Sequence, residues 1–175
     1  MRTALALLCL TLSASLPAAD NAARNTELLA KYYAYADAGE YGKQADMWAP
    51  AGIDLGKPSS PDSIRTSLED IHRTFPDYAS VALETRAVGD TVVQMSRMSG
   101  THRGVARTGI FGGLLQGAAA SGRHFEALVT HWWRFDESGK IVWHEVTRDD
   151  LGMYRQLGLI ADSLPTEKLV KPVKE

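Results

Sequence analysis

Cysteine is nearly missing from this 175-residue chain, whose one thiol is Cys9. Because Cys9 lies in the first twenty residues, the rest of the chain has neither disulfides nor cysteine chemistry. Leu8 precedes it where a lipoprotein signal needs a small residue, so we expect no lipid anchor and no stable membrane anchor.

A strong charge of one sign is also missing. The formal net charge of −2 argues against nucleic acid or an anionic membrane as the main partner.

The apolar run near the N-terminus, Ala4 to Leu12, is too short to cross a bilayer as a helix. Arg2 precedes this run, and the small residues of LPAA follow it, which is the order found in a signal peptide. A buried N-terminal helix is the alternative. We predict that residues 1–19 are a signal peptide and that the protein is exported, either to the periplasm or to the outside medium.

The remaining chain fits one domain, residues 20–164, with a flexible tail at 165–175. Helical spacing of apolar residues predicts helices over 21–38 and 41–49. Ser60 as N-cap and Pro61 in the first turn predict a third helix that ends before Pro76. Between the second and third helices, AGIDLGKPSS is typical of a loop because of its glycines and proline.

After Asp77 the chain changes to alternating polar and apolar residues, which predicts antiparallel strands. Gly104 to Gly122 is a loop rich in glycine and alanine, interpreted as a flexible flap, with a buried short helix as the alternative. Helices followed by strands predict an α+β fold, with the N-terminal helices packed on one face of a curved antiparallel sheet. A pocket is expected between helices and sheet. The four predicted strands are 79–88, 91–103, 123–135 and 140–149.

Two histidines occupy the last predicted hairpin. If the turn is DESG and Phe135 faces Lys140, His131 lies directly opposite His144 on an otherwise apolar face that includes Trp133 and Val146. A bulge in either strand would change this assignment. Burial would lower the pKa of both imidazoles and keep them neutral. The alternative is that both histidines are core residues bonded to backbone carbonyls. No third zinc ligand is in view, so we predict neither a metal nor a cofactor.

Several segments together carry a family resemblance: FPD, GTHRG, an RF turn followed by GK and Ile, and LG followed by RQLG near the end. Over residues 26–160 the chain resembles the SnoaL-like polyketide cyclase family of the nuclear transport factor 2 superfamily. The resemblance implies a cone-shaped α+β barrel around a pocket, assembled as a homodimer through its sheet. It also implies that the reaction is an intramolecular aldol closure, driven by an aspartate on the last strand.

Carried over by position, the resemblance implies roles for His131 and His144, and it places the family's loop asparagine at Asp54. The catalytic aspartate falls on Val146, which cannot move a proton. We therefore predict Asp54 as the carboxylate that works with His131 and His144. A bulge that turns Glu145 inward is the alternative. Four further residues are predicted to line the substrate site: Tyr32, Trp48, Trp133 and Val146.

Three functions remain open. The first is an acid/base enzyme without metal that cyclises, isomerises or hydrates a small apolar carbonyl compound. The second is a module that binds a small apolar ligand without turning it over. The third is a structural dimer whose cavity is filled by side chains such as Trp133 and Tyr32.

Overall fold

The structure is a computed structural model that describes residues 18–161. Residues 1–17 of the predicted signal peptide and the whole predicted tail lie outside this range. The described chain forms four helices, six strands and one 3-10 turn at Ile110–Gly112. In chain order the helices and strands are α1 (Ala18–Asp37), α2 (Tyr41–Ala45), β1 (Trp48–Asp54), β2 (Lys57–Ser59), α3 (Pro61–Thr74), β3 (Ala79–Val88), β4 (Thr91–Thr101), β5 (His124–Phe135), β6 (Ile141–Arg148) and α4 (Asp150–Gln156).

Helix α3 begins where the sequence predicts. The Ser60 hydroxyl accepts a hydrogen bond from the backbone N–H of Ser63, and the Ser63 hydroxyl accepts one from the N–H of Ser60. This reciprocal cap contributes about 1 kcal/mol to helix stability. Pro61 occupies the first turn, where its missing N–H has no partner to lose.

The prediction for residues 41–60 is wrong in two respects. The helix ends at Ala45, and Trp48 already belongs to β1. The predicted loop is a β-hairpin, in which Asp54 pairs with Lys57 across the two residues Leu55 and Gly56. Both turn residues have positive φ, 50° and 73°. Two central residues of positive φ make a tight hairpin turn, so the glycine that suggested a loop closes a strand pair instead.

The α+β arrangement with N-terminal helices is confirmed, but the sheet is mixed rather than antiparallel. Its order is β2-β1-β6-β5-β4-β3, and it is curved and unclosed. Strand β1 pairs with β6 in the parallel direction, and the other neighbouring strands are antiparallel. The chain passes through β2, α3, β3, β4 and β5 between β1 and β6, and a connection of this length allows β1 to lie alongside β6 in the same direction.

The register of the last hairpin differs from the predicted one. Gly139 adopts φ 81° in a three-residue loop, and the Asp136 side chain accepts a hydrogen bond from the backbone N–H of Lys140. A bulge in β6 then leaves Val142 without a partner. The loop and the bulge together shift the pairing of β6 by two residues from the predicted register, so that His131 pairs with Val146 and Trp133 with His144. An offset of two keeps each side chain on its face, because strand faces alternate with period two.

Buried side chains form two clusters against the inner face of the sheet. One includes Tyr32, Trp48 and Trp133, and the other lies under the 104–122 segment and α4. In that segment Ile110 and Phe111 are buried in the 3-10 turn. The segment is therefore closer to the predicted buried short helix than to a flap without contacts.

Candidate active site

Asp54, His144 and His131 meet because three neighbouring strands present them on one face. Asp54 ends β1 and is the register partner of His144 on the parallel strand β6. His131 on β5 pairs with Val146, two residues beyond His144, so the two histidines are diagonal neighbours. Asp54 thus reaches His144 from the adjacent strand, and not from the opposite wall of the cavity.

The three side chains form one hydrogen-bonded chain, which we call the Asp–His–His relay. Nδ1 of His144 lies 2.7 Å from Oδ1 of Asp54, and Nδ1 of His131 lies 3.0 Å from Nε2 of His144. An ionised carboxylate only accepts, so Nδ1 of His144 carries a proton. When His144 is neutral its Nε2 must accept, and His131 donates from Nδ1; these tautomers are assigned from the hydrogen bonds.

This assignment leaves Nε2 of His131 as the free end of the relay. The atom is buried and has no hydrogen-bond partner within residues 18–161. With Nδ1 protonated, Nε2 carries a lone pair that can accept a proton. An unpartnered buried acceptor is unfavourable unless water or a ligand completes it, so the relay ends at a place suited to a bound molecule.

Burial, together with the smaller effects of the neighbouring His144 and Arg148, lowers the pKa of His131 to about 3. His131 is therefore neutral at pH 7 and would be a weak base by itself. The relay offers a better place for the charge. A proton taken up at Nε2 of His131 releases the Nδ1 proton to His144, and the resulting cation lies beside the Asp54 carboxylate.

Aromatic rings fix the orientation of the imidazoles. The Trp133 and His144 rings stack with centroids 3.8 Å apart and planes 19° apart. The His131 and Trp133 rings are nearly parallel, 5.7 Å apart, and Trp48 meets His144 edge-on at 6.1 Å. The Trp133 face also favours a positive charge on His144, since aromatic faces attract cations.

The relay faces a cavity of about 1070 Å³ between the sheet, helices α1 to α3 and the 109–116 segment. Two indole donors at its wall, Nε1 of Trp48 and Nε1 of Trp133, are buried and have no partner in the described chain. The structure brings all seven predicted site residues to this cavity: Tyr32, Trp48, Asp54, His131, Trp133, His144 and Val146. Their roles in binding or catalysis stay predictions.

Two charged residues near the site were not predicted from the sequence. Arg148 begins the charged run RDD, whose acidic residues predict only a cap for the last helix. In the structure it lines the cavity, with 7% of its side chain exposed. Arg148 follows Val146 by two residues on the same strand, so the alternation of faces in the sequence already indicated that its side chain points inward. Asp150 pairs with Arg148, while Asp149 caps α4 by accepting from the N–H of Gly152.

The second missed residue, Asp70 on α3, anchors the segment beside the cavity. Its buried carboxylate accepts hydrogen bonds from the backbone N–H groups of Arg107 and Thr108 and from the Thr108 hydroxyl. Burial alone would raise the pKa of Asp70, but the bonds from Thr108 and Arg107 and the charge of Arg73 hold it below its usual value. A single aspartate in a helix gives no signal of this role.

Residues 18–161 hold no cluster of three or more histidine, cysteine, aspartate or glutamate side chains that could bind a metal ion. Within the same residues, no helix is both long enough and apolar enough to cross a membrane.

Solved structures resemble this fold over most of its length. An NTF2-like protein from Burkholderia thailandensis is 25% identical, with a TM-score of 0.59 over 75% of this chain and 95% of that one. A SnoaL-like polyketide cyclase from Agrobacterium tumefaciens is 14% identical, with a TM-score of 0.62 over 77% of this chain and 98% of that one. TsrD from Streptomyces laurentii is 22% identical, with a TM-score of 0.64 over 79% of this chain and 97% of that one.

A search of curated proteins finds no match. The model of the SnoaL-like polyketide cyclase family matches residues 26–157, which include all the elements from α2 to α4 and most of α1. The chain therefore belongs to the SnoaL-like polyketide cyclase family.

Proposed function

We propose that this protein is an acid/base enzyme that removes a proton from the carbon next to a carbonyl group. The observation that carries the proposal is the Asp–His–His relay, with its free Nε2 on His131 at the wall of a cavity. Val146 occupies the position where the family resemblance implies a catalytic aspartate. Asp54 supplies a carboxylate to the same pair of histidines from β1.

The C–H bond of the substrate breaks, the proton goes to Nε2 of His131, and the electron pair enters the carbonyl to form an enolate. The Nδ1 proton of His131 passes to Nε2 of His144, whose positive charge then faces Asp54. The indole N–H groups of Trp48 and Trp133 are donors of the kind that stabilise an enolate oxygen.

The fate of the enolate decides the reaction class. Return of the proton to a different carbon gives isomerisation, and attack on a second carbonyl of the same molecule gives cyclisation. Loss of a β-hydroxyl gives dehydration, which is hydration in reverse. The cavity volume of about 1070 Å³ is at the upper end of the range for small-molecule sites, and suits a substrate with more than one ring.

Exchange of carbon-bound hydrogen in D2O tests this proposal without knowledge of the true substrate. We would follow the α-protons of 2-tetralone by NMR in the presence of the protein, the His131→Gln variant and the His124→Gln variant. His124 is an exposed histidine at the start of the same strand. Wild type and His124→Gln should accelerate exchange equally, and His131→Gln should lose the acceleration. Equal rates for all three proteins would contradict the proposal.

A binding module is the second candidate, and the aromatic wall favours it. Tyr32, Trp48 and Trp133 pack together beside the cavity, with ring centroids 5.1 Å apart for Tyr32 and Trp133 and 6.3 Å apart for Trp48 and Trp133. Such a wall holds an apolar ring whether or not a proton moves. Saturable binding of 2-tetralone in a calorimeter, with no accelerated exchange, would favour this candidate over the enzyme.

We also propose a homodimer that forms through the outer face of the sheet. Val81 and Leu128 project there with 60% and 56% of their surface exposed, on either side of Arg97 in one row across β3, β4 and β5. Burying such a row against a second copy removes apolar surface from water. Light scattering should give twice the chain mass for wild type and the single mass for Leu128→Asp. A monomeric wild type would contradict the dimer.

Export is the last part of the proposed function. The charged, apolar and small-residue segments of residues 1–19 support it. N-terminal sequencing of the protein recovered from the periplasm or the medium of an expressing bacterium should begin near Asp20. Recovery of the intact N-terminus from the cytoplasm alone would contradict export.

A further inference from the structure

Arg148 places a positive charge in the wall of the cavity, on the same face of β6 as Val146 and His144. The side chain is 7% exposed, and its guanidinium carbon lies 4.8 Å from the centroid of the Phe111 ring. Nε donates to Oδ1 of Asp150 at 2.5 Å. Within residues 18–161 this is its only hydrogen bond, so both terminal nitrogens keep their donors free.

Free guanidinium donors in a cavity are unusual, because removal of a charge from water is costly unless its hydrogen bonds are replaced. Asp150 balances the charge from one side, but it engages only Nε. The planar pair of terminal nitrogens matches a carboxylate, which can accept two parallel N–H bonds. The Phe111 ring lies against the guanidinium and helps to orient it.

We propose that Arg148 is the binding site for a carboxylate on the substrate, so that the compound is a carbonyl acid rather than an uncharged apolar carbonyl compound. This proposal rests on the proposed function and refines it, because the bound carbonyl acid would be the molecule that gives its proton to His131. Arg148 pairs with Val129, and His131 pairs with Val146, so Arg148 and His131 are diagonal neighbours.

Diagonal neighbours in an antiparallel pair have Cα atoms about 7–8 Å apart. A carboxylate on Arg148 and an acidic C–H at Nε2 of His131 are therefore a few bonds apart in one small molecule. This spacing suits an oxo acid, whose apolar part would lie against Trp48 and Trp133. The carboxylate would also neutralise the positive charge of Arg148 while the relay becomes charged.

A matched pair of probes tests the subsite: 2-naphthoate and its methyl ester, which share the ring system but differ in charge. We would measure both dissociation constants by calorimetry for wild type, Arg148→Met and Arg134→Met. Arg134 is a close control, since it also lies over an aromatic ring, that of Trp143 at 5.2 Å, and beside an aspartate, Asp90, at 3.8 Å. Arg134 is half exposed and does not line the cavity.

Wild type and Arg134→Met should bind the carboxylate at least tenfold more tightly than the ester. In Arg148→Met the two constants should fall within twofold of each other. If that variant does not fold, Arg148→Lys replaces it and should lose at least threefold of the preference, because an ammonium cannot make the paired bonds. No preference in wild type, no binding of either probe, or a full preference in the Arg148 variant that is measured would overturn the proposal.

The two proposals can fail separately. Proton exchange of 2-tetralone tests the relay with a compound that lacks a carboxylate. The naphthoate pair has no exchangeable α-proton next to a ketone and tests only the subsite. A carboxylate preference without exchange would leave Arg148 as a binding residue in a protein that is no enzyme.

Discussion

Asp54 and His144 are partners across the one parallel strand pair of the described sheet, with Oδ1 and Nδ1 2.7 Å apart. Ninety residues separate them in the chain. The contact gives His144 a fixed tautomer and a carboxylate to stabilise its charged form, which is how a buried imidazole becomes useful in proton transfer.

Asp54→Asn should reduce the rate of 2-tetralone exchange about 100-fold or more, because the variant cannot stabilise a cationic His144. Asp37→Asn is the matched control, since Asp37 lines the same cavity without any bond to the histidines. The control should keep the wild-type rate. Equal loss in both variants would show that general cavity charge matters and that the relay does not.

Stability should fall on acidification because His131 is held neutral. Its folded pKa of about 3 lies below the usual value of 6.5, so the unfolded chain binds more protons between these limits. The contribution of neutral His131 to the free energy of unfolding is complete above pH 6.5. It is lost as the pH falls toward 3, at up to about 1.4 kcal/mol per pH unit. Urea unfolding at several pH values should therefore show a steeper fall for wild type than for His131→Gln.

Other histidines with lowered pKa values, His72 and His102, act in the same direction in both proteins. The difference between the two curves thus reports on His131 and on its bond to His144. Parallel curves between pH 6.5 and 4 would mean that His131 is not held neutral in the folded state.

Asp70→Asn should destabilise the fold by about 2–3 kcal/mol, because an amide cannot accept all the bonds that the buried carboxylate receives. Asp62→Asn is the control on the same helix. Asp62 also pairs with an arginine three residues later, but it is 87% exposed and should matter by less than about 0.5 kcal/mol. Equal midpoints of urea unfolding for the two variants would refute the anchoring role.

A pair of glycines tests the close approach of the 104–122 segment to α3. A Cβ at Gly104 would press against the carbonyl oxygen of Arg73, whereas a Cβ at Gly42 would meet nothing within 4 Å. Gly104→Ala should cost about 1–3 kcal/mol through backbone displacement. Gly42→Ala, in α2, should be neutral or stabilise by up to about 1 kcal/mol. Thermal unfolding distinguishes them, and a stable Gly104→Ala would contradict the packing.

The sequence predicted the architecture better than the pairing. Alternation located β3 to β6, and the Ser60 cap located α3, because these signals are local. The parallel contact of β1 with β6 joins segments ninety residues apart, and no local pattern encodes it. The inward face of His131 and His144 was predicted correctly although the register was not, since the bulge and the loop together shifted the pairing by two residues.

A glycine at a strand turn accounts for the wrong prediction of a loop after β1. Gly56, with φ 73°, closes the hairpin that carries Asp54, but in the sequence it suggested a loop. Arg148 was missed for another reason. Its charged neighbours suggested a helix cap, although only Asp149 performs that role.

The parallel pairing of β1 with β6 also orders events in folding. Contacts between β3, β4, β5 and β6 join consecutive segments and can form early, whereas β1 must wait for a closure that spans most of the domain. A chain still emerging from a ribosome therefore exposes Asp54 long before either histidine, and the relay can form only after β6 has emerged and paired with β1. Proton-transfer activity would be a property of the completed domain alone, acquired in the last step of its assembly.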